Sequence, residues 1–300
     1  MANEITPTSI ADLLASETVA AEVMFLLADR DPSILNHPAL FQATHNGPSE
    51  VVRVPHLGLG GYDLLTAHTP GAEVANTAFS DGKTDVTVAP VAKRYNLDDF
   101  AKYLSMGKLG PAAFAQDIVI SYAQTLISKI ANVGDSFGTV VGTSGATVTW
   151  DQMLEAKGSL ASAKAAGPLL CVLHPKQWND LERAALALGV LPAESMGGVI
   201  MQGLGSYKGR YMGVDIFTSS HVPTANGAVD RAGFITALGG IAWADLNLGD
   251  DADPNITSFG RARLERVRQG QFLSTSYVQS GVMGVAKAID LAGVSIITKA

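Results

Sequence analysis

The stretch LLCVLHPKQWNDLERAALALG, residues 169–189, holds the sharpest candidate for chemistry in the chain. An apolar run ends on His174, and Pro175 opens a helical pattern. A histidine placed there acts as a general base only if a nucleophile and an orienting partner lie within hydrogen-bonding reach. The chain has no Gly-x-Ser-x-Gly elbow, and Ser206, in GLGSYKG, does not supply one. The plainer reading is a joint: proline suits a first helical turn, so His174-Pro175 ends a strand and starts a helix.

The other chemically suggestive groups are weaker. His37, His45, His56, His68 and His221 are scattered, mostly in loops, and show none of the helical pair spacing of a zinc site. Gly203-Leu-Gly205-Ser-Tyr-Lys-Gly209 has its third glycine one place too late for a dinucleotide loop. SDGKTD contains Gly-Lys-Thr, but Thr77 stands where a phosphate loop needs its first glycine. Asp245, Asp250, Asp251 and Asp253 lack the glycine and glutamate of a calcium hand. They read as a solvated loop or as the counterpart of a basic cluster. That cluster is Arg261, Arg263, Arg266 and Arg268, with Glu265 inside it. It reads as an exposed element with local ion pairs, as an ion-pair seam between subunits, or, third, as a DNA contact. Cys171 is the only cysteine, so no intrachain disulfide forms and no cysteine cluster holds zinc. No catalytic, cofactor-binding or metal-binding residue is assigned.

Stepping along the chain, residues 8–29 read as an amphipathic helix. Ser9 caps it, and Ile10, Leu13, Leu14, Val23, Leu26 and Leu27 mark its apolar face. Pro32 and Pro38 break the pattern, so residues 1–48 form an arm with little core of its own. EVVRVPHLG is a short strand. Residues 73–89 read as a β-hairpin turning at Asp81-Gly82, a favoured type I′ pair, with Phe79 as its main apolar residue. Such a hairpin is marginal alone and must pack on its own domain or lie across a partner. A long helix is expected over 111–134, opened by Pro111 and closed by Gly134, with Phe114, Ile118, Tyr122, Leu126 and Ile130 stepping by four. Thr149-Trp-Asp-Gln152 matches a capping box for a helix running to about Ala165. Strand 169–173 and helix 175–188 follow. GVDIFTSS, AGFITAL and GIAWADL read as short strands, and the tail as a strand-rich return ending in an apolar strand at 293–298.

Composition narrows the class. At 300 residues and 47% hydrophobic, the chain can bury a sizeable core. Only 16% of residues are charged, against roughly 25% in an average soluble domain. Little charge keeps copies apart, so burial against itself is one reading and a large core the other. The net charge of −7 argues against an open nucleic-acid binder. No run approaches the ~18 apolar residues of a membrane span. The start, MANEITPTSIADLL, lacks the pattern of a secretory signal.

The order of these parts resembles a major capsid protein of a tailed double-stranded DNA bacteriophage, with the Hong Kong 97-type α+β fold. The local likeness is best at LLCVLHPKQWNDLERA, and at GLGSYKGRYMGVDIFTSSHVP, similar to that family's glycine-and-tyrosine turn, strand and loop. The resemblance spans nearly the whole chain, through the order of its parts. It implies an N-terminal arm over 1–48 and an E-loop over 49–97. It implies a peripheral domain with a spine helix over 98–149, an axial domain over 150–254, and peripheral return strands over 255–300. It implies that Trp178, Leu181 and Leu188 pack helix 175–188 on the axial sheet, with His174 as a joint. It implies hexamers and pentamers closing into an icosahedral shell around double-stranded DNA held without sequence specificity. Phe79, Asp81, Gly82, Lys83, Arg261, Arg263, Arg266 and Arg268 are then expected at contacts between subunits. A portal and an optional decoration protein are further expected partners, with assembly in the host cytoplasm and residence in the virion. The long helix begins near residue 111 and the chain keeps Met1, so a separate scaffolding protein is expected. Some relatives form a lysine–asparagine cross-link; Lys83 has no identified asparagine or glutamate partner, and that activity is not carried over. The competing expectations are an encapsulin-type compartment shell and, in another class, an α/β enzyme using His174.

Overall fold

A computed structural model describes residues 34–45, 50–57, 81–98, 111–165, 167–187, 207–246, 256–258, 262–269 and 274–299. In chain order the strands begin with β1 (Leu40–His45), β2 (Val51–Leu57), β3 (Asp81–Thr87) and β4 (Ala89–Asp98). Helix α1 (Pro111–Gly134), β5 (Val140–Val141), α2 (Trp150–Ser162), β6 (Leu169–Leu173) and α3 (Pro175–Ala187) follow. Then come β7 (Tyr207–Tyr211), β8 (Val214–Thr218), β9 (Thr224–Ala225), β10 (Asp230–Thr236) and β11 (Ile241–Leu246). The last are β12 (Ile256–Ser258), β13 (Ala262–Gln269), β14 (Ser274–Lys287) and β15 (Gly293–Lys299).

The elements stack in layers around α1. At ~1.5 Å per residue its 24 residues make a rod about 36 Å long. Tyr122, Leu126 and Ile130 step by four and are buried. On one side they meet Trp243, Leu264, Tyr277 and Met283 of a six-stranded sheet, ordered β1-β11-β14-β13-β12 with β4 along β14. On the other they meet Leu170, Val172, Phe217 and Phe234 of a seven-stranded sheet, ordered β5-β15-β10-β6-β8-β7 with β9 on β10. The far face of that second sheet carries α2 and α3. There Cys171, Leu173, Ile216 and Ile296 pack on Met153, Leu160, Trp178 and Leu181. Strand β6 thus buries both parities of LLCVL, as its unbroken apolar run requires. Outside the first sheet lies the β2–β3 ribbon, whose Val52, Val54, Val86 and Val88 pack on Ala242 and Ala244.

Several expectations change. Asp81-Gly82 is not a turn: Asp81 pairs with Leu57 and Gly82 with His56, so the ribbon joins 51–57 to 81–87 rather than folding within 73–89. Val52, Val54 and Val86 on one face of the two strands, with Val88 just beyond β3, outweigh a local turn signal. The arm is not without a core where it is described. Ile34, Leu35, Ala39 and Leu40 are buried, and β1 runs parallel to β11. Helix 8–29 lies outside the described residues. The sheets also cross the boundary drawn at 254/255: β11 lies in the six-stranded sheet beside β14, and β15 lies in the seven-stranded sheet beside β10. Asp245 is a buried strand residue and not part of a solvated loop; Asp250, Asp251 and Asp253 lie outside the described residues.

Candidate assembly surfaces

His174 sits where β6 hands over to α3, and its bonds are those of a cap. Its Nδ1 accepts from the Lys176 N–H at 3.2 Å, and its carbonyl accepts the first helical bond from the Trp178 N–H. The Gln177 side chain reaches back to the His174 N–H at 2.9 Å, closing a reciprocal box with histidine in the capping place. Burial, then the nearby Arg231 and Lys176 cations, hold the imidazole below its usual range. A ring kept neutral with its Nδ1 engaged by a backbone amide is a structural joint.

Gln177 is the residue that sequence reasoning missed here. It is fully buried, and its Nε2 donates to the Arg231 carbonyl at 3.0 Å and to Thr298 Oγ1 at 2.8 Å. One amide therefore ties α3 to β10 and β15. Its sequence signal was only its place three residues after His174. Leu181 and Trp178 are buried against the sheet, as the resemblance implied; Leu188 lies outside the described residues.

A second missed group docks residues 34–39. The Ala39 N–H points at His37 Nδ1 at 3.2 Å, so Nε2 carries the proton and donates to Asp215 Oδ2 at 3.1 Å. Tyr207 donates to the other carboxylate oxygen at 3.3 Å, and the His37 ring meets the Phe217 ring edge-on. His37 and Asp215 are 178 residues apart, so no local pattern announces the pair. A second carboxylate pins a loop: Asp230 accepts from Asn226 Nδ2 at 2.6 Å, from Ser144 Oγ, and from the Gly145 N–H at 2.9 Å. These bonds, Asn226 foremost, hold it below the usual carboxylate range.

The ribbon shows two faces. Inward valines seat it on the parent sheet, and Thr84 Oγ1 donates to the Ala288 carbonyl at 3.1 Å. Gly284 of β14 lies directly under the exit from β3; a Cβ there would stand 2.2 Å from the Thr87 carbonyl oxygen. The outward face carries an exposed Arg53–Asp85 pair at 3.1 Å and exposed Lys83. Of the expected contact residues, Gly82 and Lys83 lie in β3, and Asp81 begins it; Phe79 lies outside the described residues. The basic cluster does not share one parity along β13. Arg263 pairs with Ser280 and Arg266 with Tyr277, positions of opposite parity in β13; Arg268 shares the parity of Arg266. Arg261 lies outside the described residues. Among the described residues no three His, Cys, Asp or Glu side chains converge as metal ligands, and no helix is long and apolar enough to cross a membrane.

No protein-family model and no curated protein matches the chain. Solved structures do. The capsid of Ralstonia phage GP4 is similar at 12% identity, over 87% of this chain and 87% of that one, with a TM-score of 0.59. The capsid of cyanophage Pam1 is similar at 12% identity, over 91% and 93%, with a TM-score of 0.57. The SrpI encapsulin of Synechococcus elongatus is similar at 16% identity, over 89% and 87%, with a TM-score of 0.59. Two mixed sheets sharing one long helix, matched along almost the full length of such chains, give this protein the α+β fold of phage capsid proteins, which an encapsulin shares.

Proposed function

We propose that this chain is the structural subunit of a closed protein shell, the major capsid protein of a tailed phage with the Hong Kong 97-type fold. The observation that carries the reading is the near full-length likeness to phage capsids, over 87% of the chain for GP4 and 91% for Pam1. The reading takes α1 as the spine helix, the β2–β3 ribbon as the base of the E-loop, and the α2–α3 layer with its sheet as the axial domain. Copies assemble as hexamers and pentamers around double-stranded DNA, with portal and scaffolding proteins as partners. The role is not enzymatic; His174 caps a helix. An acidic chain suits a wall that must not hold its packaged DNA by charge. The Arg and ribbon residues expected at contacts stay part of this proposal, with Arg263 and Arg266 serving different faces.

Electron microscopy of the purified full-length protein tests the reading. Icosahedral particles are the expected result, and a solitary subunit at high concentration would refute it. The likeness to the SrpI encapsulin favours a second reading, a cargo compartment. Particles from the native source separate the two: a phage head carries DNA and a portal, a compartment carries cargo protein.

A further inference from the structure

The hairpin that joins β9 to β10 carries a chemically unstable pair of residues. Ala225 pairs with Asp230, so Asn226-Gly227-Ala228-Val229 make the connection, and all four are exposed. Asn226, Gly227 and Ala228 have φ of 50°, 68° and 71°, left-handed residues in succession. Asparagine and glycine tolerate that region, whereas the Cβ of alanine resists it. Asparagine is a thermolabile residue. A glycine after it leaves it most open to attack, because no side chain shields the next backbone nitrogen from the amide carbon. Here the amide is held. Its Nδ2 donates to Asp230 Oδ2 at 2.6 Å, and Asp230 also accepts from Ser144 Oγ and from the Gly145 N–H. Asp230 is buried, so the acceptor is fixed in place.

We propose that Asn226 is a self-modification site, converted to aspartate and isoaspartate through Gly227, and that its bond to Asp230 sets the rate. A solvent base takes the Gly227 amide proton, and the nitrogen attacks Asn226 Cγ. A new C–N bond closes a five-membered imide, the Cγ–Nδ2 bond breaks, and Nδ2 leaves as ammonia. Water then opens the imide at either carbonyl, giving aspartate or isoaspartate. One water is consumed and one ammonia released. Ring closure turns the amide about its own side-chain bonds, and Asp230 holds the nitrogen that must move. That bond has to break first, and a hydrogen bond to a charged group slows such a step about tenfold. The product undoes the clasp. A carboxylate at 226 faces the carboxylate of Asp230 where a donor stood, and like charges at that range repel. The turn and the 143–145 loop then lose the anchor they share. The inference concerns the folded subunit and holds whether or not copies assemble.

The test is peptide mass mapping of the full-length chain held at mildly alkaline pH in buffer and, in parallel, in urea. Acid at position 226, part of it isoaspartate, should form about tenfold more slowly in the folded wild type than in the unfolded chain. Folded Asp230→Ala should approach the unfolded rate. If that variant does not fold, Asp230→Asn serves instead. It keeps the shape but offers one acceptor oxygen to the same donors, so its rate should fall between the two. Asn226→Asp copies one product and should speed hydrogen exchange at the Gly145 N–H. Acid forming as fast in the folded wild type as in urea would overturn the proposal, as would a folded Asp230 variant as slow as wild type. No acid at 226 in either state, or aspartate without isoaspartate, would exclude the imide route. Unchanged exchange at Gly145 in Asn226→Asp would refute the unclasping.

Discussion

Replacing Gly284 by alanine should unseat the β2–β3 ribbon while leaving the rest of the subunit folded. The added Cβ would stand 2.2 Å from the Thr87 oxygen, 2.8 Å from its carbonyl carbon and 3.1 Å from Val88 Cα. A carbon–oxygen contact tolerates about 3.3 Å, so the exit of β3 must lift by about 1 Å. All three neighbours are backbone atoms, so no side-chain rotation relieves the clash. A gap of that size forfeits roughly a quarter to a half of the dispersion contact of the groups it separates. Those groups are Val52, Val54, Val86 and Val88, packed on Ala242, Ala244 and Val282. Overpacking of this kind costs about 1–3 kcal/mol. The cores on either side of the seven-stranded sheet do not include the ribbon, so the loss should stay local. Hydrogen exchange on unassembled subunits should speed up at 51–57 and 81–87 and stay unchanged in β10 and β15. Particle yield should fall, because on the proposed reading the seat aims the E-loop. Unchanged exchange in the ribbon together with full particle yield would refute the seating argument. A uniform loss of protection throughout the subunit would refute its local character.

Three further perturbations test the joints. His174→Ala removes the cap on the Lys176 N–H and should cost about 1 kcal/mol in urea unfolding, with particle assembly retained. Because the folded imidazole titrates below its unfolded range near pH 6.5, wild-type stability falls as pH drops below that value, and the variant should show a shallower decline between pH 7 and 5. Gln177→Ala leaves the Arg231 carbonyl, Thr298 and the His174 N–H without their buried partner, and should cost about 2–4 kcal/mol by the same assay. Asp230 is held below the usual range, so its contribution is present above about pH 3.9 and is lost as pH falls through its lower folded value. Asp230→Asn should therefore be less stable than wild type at pH 7, with the gap in urea midpoint narrowing as pH falls below that range.

What the sequence made legible was local. The periodicity of Tyr122, Leu126 and Ile130, the Thr149–Gln152 capping box and the apolar run 169–173 each need only neighbouring residues to act. All three appear as α1, the capped α2 and β6. Turn chemistry was a poor guide in both directions. Asp81-Gly82 has the favoured composition and lies in a strand, whereas Met212-Gly213 lacks it and makes the tight turn. Other forces decided both places: matched valine faces in the first, and in the second the Lys157 bond to the Met212 carbonyl and the packing of Tyr211 on Trp150 and Trp178. The His37–Asp215 bond and the β1–β11 pairing join residues that only the finished fold brings together, and their composition gives no sign of it.

The same long-range pairings explain why boundaries drawn along the sequence could not match the sheets. Strand β11 follows β10 after four residues, yet β10 ends in one sheet and β11 starts in the other. The short link between them is held tightly: the Ala237 N–H donates to the Ala292 carbonyl and the Ala288 N–H to the Gly240 carbonyl. Strand β15 makes the reverse crossing after β14, past Lys287 and Asp290, whose ion pair of 2.9 Å also grips the end of α1 through Ser136 and Gly138. Both crossings therefore lie side by side, and α1 lends its two faces to the two sheets. Each sheet shares its α1-side core with the other, while its far face keeps a core of its own. A core shared in this way couples the two sheets through α1, so a change that loosens one of them should be felt in the other, whereas the β2–β3 ribbon, seated on the outer face of its sheet, can be altered locally.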